Sequence, residues 1–233
     1  MSTDEQRVAH GIEAVRRRIA EAEVRFGRAP GSVQLLAVSK VQPAGKIAAA
    51  YAAGQTAFGE SYAQEALEKQ AELRHLPLHW HFIGRVQSNK TRDIAAGFDW
   101  VHSVFELKHA RRFGSQRPPE RGPLKLCVQV NVSGEASKGG LKPGEVADFI
   151  TACAAIDGVR VEGLMALPAQ SADLESQRRP FAALRALRDR LATPALPLPV
   201  LSMGMSADLE AAIAEGATIV RVGTAIFGSR PPN

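Results

Sequence analysis

The sequence predicts an α/β protein built as a single (β/α)8 TIM barrel with an additional N-terminal helix. Short apolar segments alternate with longer amphipathic ones, eight such apolar segments occur, and 233 residues suit one barrel. An open doubly wound sheet is the alternative. It usually carries a glycine-rich loop after its first strand, and residues 39–43 contain no glycine. We therefore expect residues 1–233 to form one barrel domain.

The first segment predicts a helix over residues 3–26 that packs against the barrel. Its apolar side chains recur at helical spacing: Val8, Ile12, Val15 and Ile19. Gly27 and Pro30 follow directly and are typical of a helix end.

The alternation of strands and helices begins after this helix. Eight short apolar segments are predicted as strands: 35–40, 57–60, 80–84, 100–104, 125–132, 159–167, 199–203 and 218–222. Seven helices are predicted between them: 47–51, 63–74, 91–96, 106–113, 143–155, 174–191 and 207–215.

Composition and termini narrow the class of protein. A net charge of +5 is spread along the chain and 6% of residues are aromatic, so we expect no binding of nucleic acid. Cys127 and Cys153 lack CxxC spacing and lie in apolar surroundings, which favours free thiols in a reducing compartment. Residues 1–18 lack the apolar core of a signal peptide, and no segment is long enough to span a bilayer. We expect a cytoplasmic protein without a membrane partner.

Lys40 ends the first predicted strand, Leu35-Leu36-Ala37-Val38-Ser39-Lys40. Because side chains alternate along a strand, Lys40 shares a face with Leu36 and Val38. Desolvation beside this apolar row would lower the pKa of the Lys40 ammonium and prepare the amine to attack a carbonyl. The alternative is a lysine that leaves the strand and points into water.

The last two strands end in residues that suit a phosphate group. Barrel chemistry occurs where strands end, and phosphates often bind after strands seven and eight. Ser206 follows strand seven and is expected to be the N-cap of the helix 207–215. Gly223 follows strand eight and lets the backbone approach a ligand, while Thr224 adds a hydroxyl group.

Arg221 lies inside the last apolar strand, two residues before Gly223 and on the same face. A charge inside a barrel needs a partner. That partner is either an internal carboxylate, such as Glu60 or Glu162, or a bound polar ring or anion.

An amine opposite a phosphate site suits a phosphorylated aldehyde. Pyridoxal 5′-phosphate is one such ligand, and the sugar phosphate of a Schiff-base aldolase is another. A metal-dependent hydrolase is a third hypothesis, because His79 and His81 share one strand face. Few carboxylates lie near the ends of the later strands, so we predict no metal site.

Together these residues resemble the YggS/PROSC family, the pyridoxal phosphate homeostasis proteins, which look like the barrel domain of alanine racemase without its second domain. The segments that carry the resemblance are AVSK (37–40), FGESY (58–62), HFIG (81–84), QSNK (87–90), GLM (163–165), SMGMS (202–206) and VGTAIFG (222–228).

The resemblance implies that pyridoxal 5′-phosphate is bound as a Schiff base on Lys40. It also implies a set of surrounding contacts: Arg221 near the pyridine nitrogen, Ser206, Gly223 and Thr224 on the phosphate, and Ser202 and Met165 along the pocket. Lys138 matches a family lysine linked to cofactor handling. Ser61 departs from the family, in which many members have asparagine at this position.

The resemblance further implies a protein that stores, buffers or delivers pyridoxal phosphate, with no catalytic residues. The expected partners are the cofactor and the apo-forms of enzymes that use it, and a closed barrel is compatible with a monomer. The alternative is an amino-acid racemase that uses pyridoxal phosphate. A racemase needs an acid/base group on each face of its substrate, and Tyr51 and Tyr62, the only tyrosines, belong to the first two helices of the barrel.

Overall fold

Eight parallel strands close into a barrel in chain order in the computed structural model, which describes residues 3–134 and 139–229. The predicted (β/α)8 barrel is thereby confirmed. The strands are β1 (Gln34–Val38), β2 (Ala57–Glu60), β3 (His79–Phe82), β4 (Trp100–Val104), β5 (Leu124–Gln129), β6 (Val159–Met165), β7 (Val200–Ser202) and β8 (Ile219–Val222).

One helix precedes the barrel and one or more helical segments follow each strand. The α-helices are α1 (Thr3–Arg25), α2 (Ala44–Ala52), α3 (Ala63–Glu72), α4 (Thr91–Gly97), α5 (Leu107–Gln116), α6 (Val146–Ala154), α7 (Leu174–Leu191), α8 (Leu209–Ala214) and α9 (Thr224–Phe227). The sequence did not predict α9, which follows β8 directly and lies between Gly223 and Gly228. Lys138 lies outside the described residues.

The barrel interior changes from apolar to polar toward the carboxyl ends of the strands. Leu36, Ala57 and Ile219 form a small apolar cluster with Val200. Ile219 lies two residues before Arg221, on the same face of β8. The fold therefore fills the lower barrel with apolar side chains and leaves its upper end for polar chemistry.

Helix α1 packs against the segments that follow β7 and β8. Arg18 donates to both carboxylate oxygens of Glu210 in α8, at 2.8 and 3.0 Å, and to the carbonyl of Ser206 at 3.1 Å. A Cβ atom at Gly11 would lie 2.8 Å from the carbonyl oxygen of Ala225, so only glycine allows α1 to approach α9 this closely. Helix α1 thus packs against the segments after β7 and β8, where the sequence predicts a phosphate site.

Both cysteines are buried free thiols. Burial raises the pKa of Cys127 well above its ordinary range and that of Cys153 to about 11. Among the described helices, none combines the length and apolar composition needed to cross a bilayer.

Candidate functional site

Lys40 lies two residues beyond β1 and lines a cavity of about 520 Å³ at the carboxyl end of the barrel. The same cavity is lined by Ser61 and Tyr62 after β2 and by Arg85 and Lys90 after β3. Lys40 is half-buried, so its side chain is partly withdrawn from water. An amine is therefore placed where barrel chemistry usually occurs.

The end of β8 lies directly against the end of β1. A Cβ atom at Gly223 would be 3.0 Å from the carbonyl oxygen of Val38, so glycine permits this close approach. Thr224 and Ala225, both exposed, form the first turn of α9, where backbone N–H groups have no partner within the helix. Amide donors and a threonine hydroxyl thus lie beside the strand that leads to Lys40.

Ser206 does not cap a helix, contrary to the prediction. Helix α8 begins at Leu209, and the carboxylate of Asp208 accepts the N–H of Met205 at 2.5 Å. This contact and the positive φ of Gly204, +92°, shape a turn after β7. Ser206 is half-buried in that turn, in the loop next to β8.

Arg221 is 5% exposed and is held by oxygen atoms of β7 and of the residue after β6. Its Nη1 donates to the carbonyl and the hydroxyl of Ser202, both at 2.7 Å, and its Nη2 donates to the carbonyl of Ala166 at 2.9 Å. Burial lowers the pKa of Arg221 to about 10, and nearby Asp208 opposes the shift, so the group stays charged at neutral pH.

The internal ion pair, one of the two alternatives that the sequence left open for Arg221, is not observed. Glu60 pairs with Lys69, and Glu162 pairs with Arg160. Within residues 3–134 and 139–229, no carboxylate oxygen lies within 4 Å of Arg221. A guanidinium has five N–H groups, and three hydrogen bonds are made to described residues. Donor capacity is therefore left for a bound group.

A chain of buried polar side chains crosses the barrel from Arg221 to β3. Nδ1 of His102 lies 2.7 Å from the Ser202 hydroxyl, and its Nε2 lies 2.9 Å from Nδ1 of His81. One arrangement satisfies every contact: Arg221 donates to Ser202, Ser202 to His102, and His102 to His81. Sequence reasoning missed His102, although it lies one strand period beyond Trp100.

Both histidines are neutral at physiological pH. Burial lowers the pKa of His81 to about 3, with His79 and Lys125 adding to the effect. Burial also lowers the pKa of His102 well below its ordinary value of 6.5, and His81 and Arg221 lower it further. In a neutral imidazole one ring nitrogen donates a hydrogen bond and the other accepts one. The hydrogen bond between His81 and His102 needs one donor and one acceptor.

We expect the free energy of unfolding to fall as pH decreases from 6.5. The two histidines bind protons in the unfolded chain over this range but remain unprotonated in the folded protein. Each such histidine adds a slope of up to about 1.4 kcal/mol per pH unit. In a His81→Gln variant, the free energy of unfolding measured with urea should decline less steeply between pH 6.5 and pH 4, since glutamine does not titrate. His75→Gln, at an exposed position, is the control and should keep the wild-type slope.

The structure divides the predicted site residues among three neighbouring places. Met165 and Ser202 are register partners on β6 and β7, and Arg221 contacts Ser202, so these three cluster inside the barrel. Gly223 and Thr224 lie at the end of β8. Among described residues, only Lys40 of the predicted set lines the 520 Å³ cavity, which opens on the β2–β3 side.

The segment Gln87–Lys90 borders the site. Gln87 and Lys90 line the cavity, and the Ser88 hydroxyl contacts Nε2 of His109 at 3.0 Å. Ser61, the departure from the family pattern, also lines the cavity, and a Cβ atom at Gly84 would be 2.1 Å from its carbonyl oxygen. The backbones of Ser61 and Gly84 are therefore in close contact.

The fold and the site define a barrel of the alanine racemase type. Residues 9–231 match the family model of the alanine racemase N-terminal domain. The chain is 54% identical over 223 residues to a pyridoxal phosphate homeostasis protein of Pseudomonas aeruginosa, covering 96% of each chain. It is 44% identical over 230 residues to one from Escherichia coli, covering 96% of this chain and 97% of that one.

A solved structure of PipY from Synechococcus elongatus, with PLP bound, is 41% identical with a TM-score of 0.79. The match covers 90% of this chain and 100% of PipY. The chain belongs to the family of pyridoxal phosphate homeostasis proteins.

Proposed function

We propose that this protein binds pyridoxal 5′-phosphate through Lys40 and serves its homeostasis by storing, buffering or delivering it. The observation that carries the proposal is the position of Lys40, at the end of β1 and on the wall of a 520 Å³ cavity. PipY, which shares this fold at 41% identity, is described with PLP bound. The named homeostasis proteins at 54% and 44% identity support the same role.

The residues present fit this cofactor. Arg221 keeps donor capacity inside the barrel mouth, where a pyridine nitrogen can accept a hydrogen bond. The first turn of α9 offers backbone N–H groups and the Thr224 hydroxyl, which are suitable donors to a phosphate. Gly223 has no side chain to occupy the space against Val38.

Pyridoxal phosphate supplies an electron-withdrawing ring and an aldehyde that condenses with amines. We assign to Lys40 the covalent attachment through Nζ, and to Ser206, Gly223 and Thr224 the binding of the phosphate. Arg221 would donate to the ring nitrogen and so keep it unprotonated. Ser202 positions Arg221 by accepting at 2.7 Å, and Met165 belongs to the same cluster.

We expect wild-type protein incubated with pyridoxal phosphate to develop the visible absorbance of a lysine-bound pyridoxal group, and Lys40→Ala to lack it. Borohydride should fix the label on the peptide that contains Lys40. Lys108→Ala, at an exposed position in α5, is the control and should behave like wild type. A band that persists unchanged in Lys40→Ala would place the aldehyde on another lysine and overturn the assignment.

One observation favours the racemase alternative as a second candidate. Tyr62, which was predicted to belong to the helix, lies before α3, is 58% exposed and lines the cavity with Lys40. We propose a carrier because such an open cavity admits water, which destroys reactive intermediates. Loaded protein in deuterated buffer with L-alanine should show no exchange at Cα beyond that with free pyridoxal phosphate. Exchange that Tyr62→Phe removes would identify an enzyme.

We further infer a cytoplasmic monomer whose partners are the apo-forms of pyridoxal phosphate enzymes. The buried free thiols Cys127 and Cys153 suit a reducing compartment. The closed barrel has no sheet edge that needs a second chain.

A further inference from the structure

A buried ionic cluster holds the backbone on both sides of Lys40. We call Lys69, Glu60, Glu65, Ser39 and Val41 the Lys69 cluster. The ammonium of Lys69 lies 2.8 Å from Glu60 Oε1 and 2.5 Å from Glu65 Oε1, and it donates to the carbonyl of Ser39 at 2.9 Å. The Lys69 side chain is 8% exposed and that of Glu60 is fully buried.

The residue before Lys40 is tied to this cluster twice. The carbonyl of Ser39 accepts from Lys69, and its hydroxyl donates to Glu60 Oε1 at 2.7 Å. Ser39 is itself buried, so both contacts are shielded from water. Such charge-assisted hydrogen bonds are stronger than neutral ones, and they fix the direction of the chain as it enters Lys40.

The residue after Lys40 is held in a strained conformation. Val41 has a φ of +56°, in the left-handed region that β-branched residues avoid. Its N–H donates to Glu65 Oε1 at 2.6 Å, and that oxygen is also bound by Lys69. Strain of this kind persists only where surrounding contacts enforce it, and Glu65 supplies such a contact.

The Lys69 cluster contains groups whose burial costs free energy, so stabilising the fold does not explain it. It buries a lysine and a carboxylate, and Glu60 Oε2 has no hydrogen-bond partner within the described part of the chain. The cluster also holds the backbone of Val41 at a positive φ. What these features share is a fixed backbone on each side of Lys40.

We propose that Glu65 and Lys69 are positioning residues, which set the direction in which the Lys40 side chain leaves the end of β1. The inference rests on the proposed function, in which the Lys40 amine takes up pyridoxal phosphate. Glu65 fixes Val41, and Lys69 joins Glu65 to Glu60 and Ser39. The cluster acts through Lys40 and does not touch the cofactor.

The test is the rate at which Glu65→Ala gains visible absorbance with pyridoxal phosphate. We expect a rate at least about tenfold below wild type, because a misplaced reacting group costs up to about a hundredfold. Alanine favours the helix α3, and Lys69 keeps Glu60 and Ser39, so the variant should fold. Glu68→Ala, on an exposed position of the same helix, is the control.

Val41→Gly separates a positioning role of Glu65 from a merely structural one, because it should restore the loading rate only if Glu65 acts through Val41. Glycine adopts positive φ without a side-chain penalty, so the turn no longer needs the Glu65 contact. The double variant Glu65→Ala/Val41→Gly should regain a rate within about threefold of wild type, in contrast to Glu65→Ala alone. A wild-type rate in Glu65→Ala, or a slow rate that Val41→Gly leaves unchanged, would overturn the inference.

Failure of the proposed function gives a different result. If Lys40→Ala keeps the absorbance band, the wrong amine has been assigned and the cluster loses its proposed purpose. If Lys40→Ala loses the band while Glu65→Ala loads at the wild-type rate, only the positioning role is wrong.

Discussion

Lys69→Met is expected to lower the free energy of unfolding by about 3–5 kcal/mol, the usual cost of removing one partner of a buried ion pair. Methionine keeps the length of the side chain but loses the ammonium that bonds Glu60 at 2.8 Å. Glu60, which is fully buried, would then keep only the hydroxyl of Ser39. Urea unfolding of the variant and wild type measures the loss.

The loss should depend on pH in a stated direction. Burial already raises the pKa of Glu60, and the charge and hydrogen bond of Lys69 oppose that shift. Without Lys69 the pKa rises further, so the folded variant binds a proton that the unfolded chain releases. The contribution of Glu60 to stability is then most favourable at acidic pH and is lost as pH rises through its folded-state pKa. The deficit of Lys69→Met relative to wild type should therefore be smaller at pH 5 than at pH 8.

A second substitution isolates the cause. Glu60→Gln in the Lys69→Met background removes the carboxyl group that titrates. The double variant should recover part of the stability at pH 8, and its deficit relative to wild type should no longer depend on pH. An equal deficit at both pH values in Lys69→Met would mean that packing, and not the unpaired Glu60, explains the loss.

The sequence predicts the bounds of a helix or strand well where its hydrophobic pattern ends at the same residue as its backbone hydrogen bonds. β2, β4 and α7 have the predicted bounds. The first strand ends at Val38, whereas the predicted strand continues to Lys40, because sequence pattern does not reveal where the hydrogen-bonded ladder stops. Several residues of the candidate site, Lys40 among them, lie just past such strand ends.

Two helices differ from the prediction, because short-range features that hydrophobic periodicity does not detect decide where they lie. Helix α9 spans four residues between two glycines and is too short for a periodic pattern. Helix α8 begins two residues later than predicted because Asp208 accepts the N–H of Met205. Ser206 consequently lies in a turn instead of at a cap.

The candidate site shows the same division between local and non-local information. The position of Lys40 just beyond β1 could be predicted, because a lysine after an apolar strand is visible in the sequence. The Glu65–Lys69 pair at i,i+4 is visible too, but such pairs are usually exposed. That Lys69 reaches Ser39, thirty residues earlier in the chain, follows from the packing of α3 against β1 and β2. Only the fold brings these residues together.

Gly163→Ala is expected to destabilise the barrel by about 3 kcal/mol or more, at the upper end of overpacking. A Cβ atom at Gly163 would lie 1.9 Å from the carbonyl oxygen of Val200 and 2.6 Å from its carbonyl carbon. These are backbone atoms of the neighbouring strand β7, so no side-chain rotation can relieve the clash. The strands β6 and β7 would have to separate.

Gly45→Ala is the matched control for this prediction. Nothing lies within 4 Å of a Cβ atom at Gly45, which is exposed in α2. Alanine there should raise the free energy of unfolding by about 0.5–1 kcal/mol because it favours the helix. If urea unfolding gave Gly163→Ala a similar gain, the contact between β6 and β7 would be looser than the structure has it.

The separation of β6 and β7 should also disturb the proposed cofactor site. Gly163 pairs with Val200, and two residues further Met165 pairs with Ser202. Ser202 accepts two hydrogen bonds from Arg221, and Ala166, next to Met165, accepts a third. A shift between these strands pulls the two anchors of Arg221 apart. Gly163→Ala that remains folded at low temperature should therefore release pyridoxal phosphate faster on dilution than Gly45→Ala, because Arg221 is positioned by both strands at once.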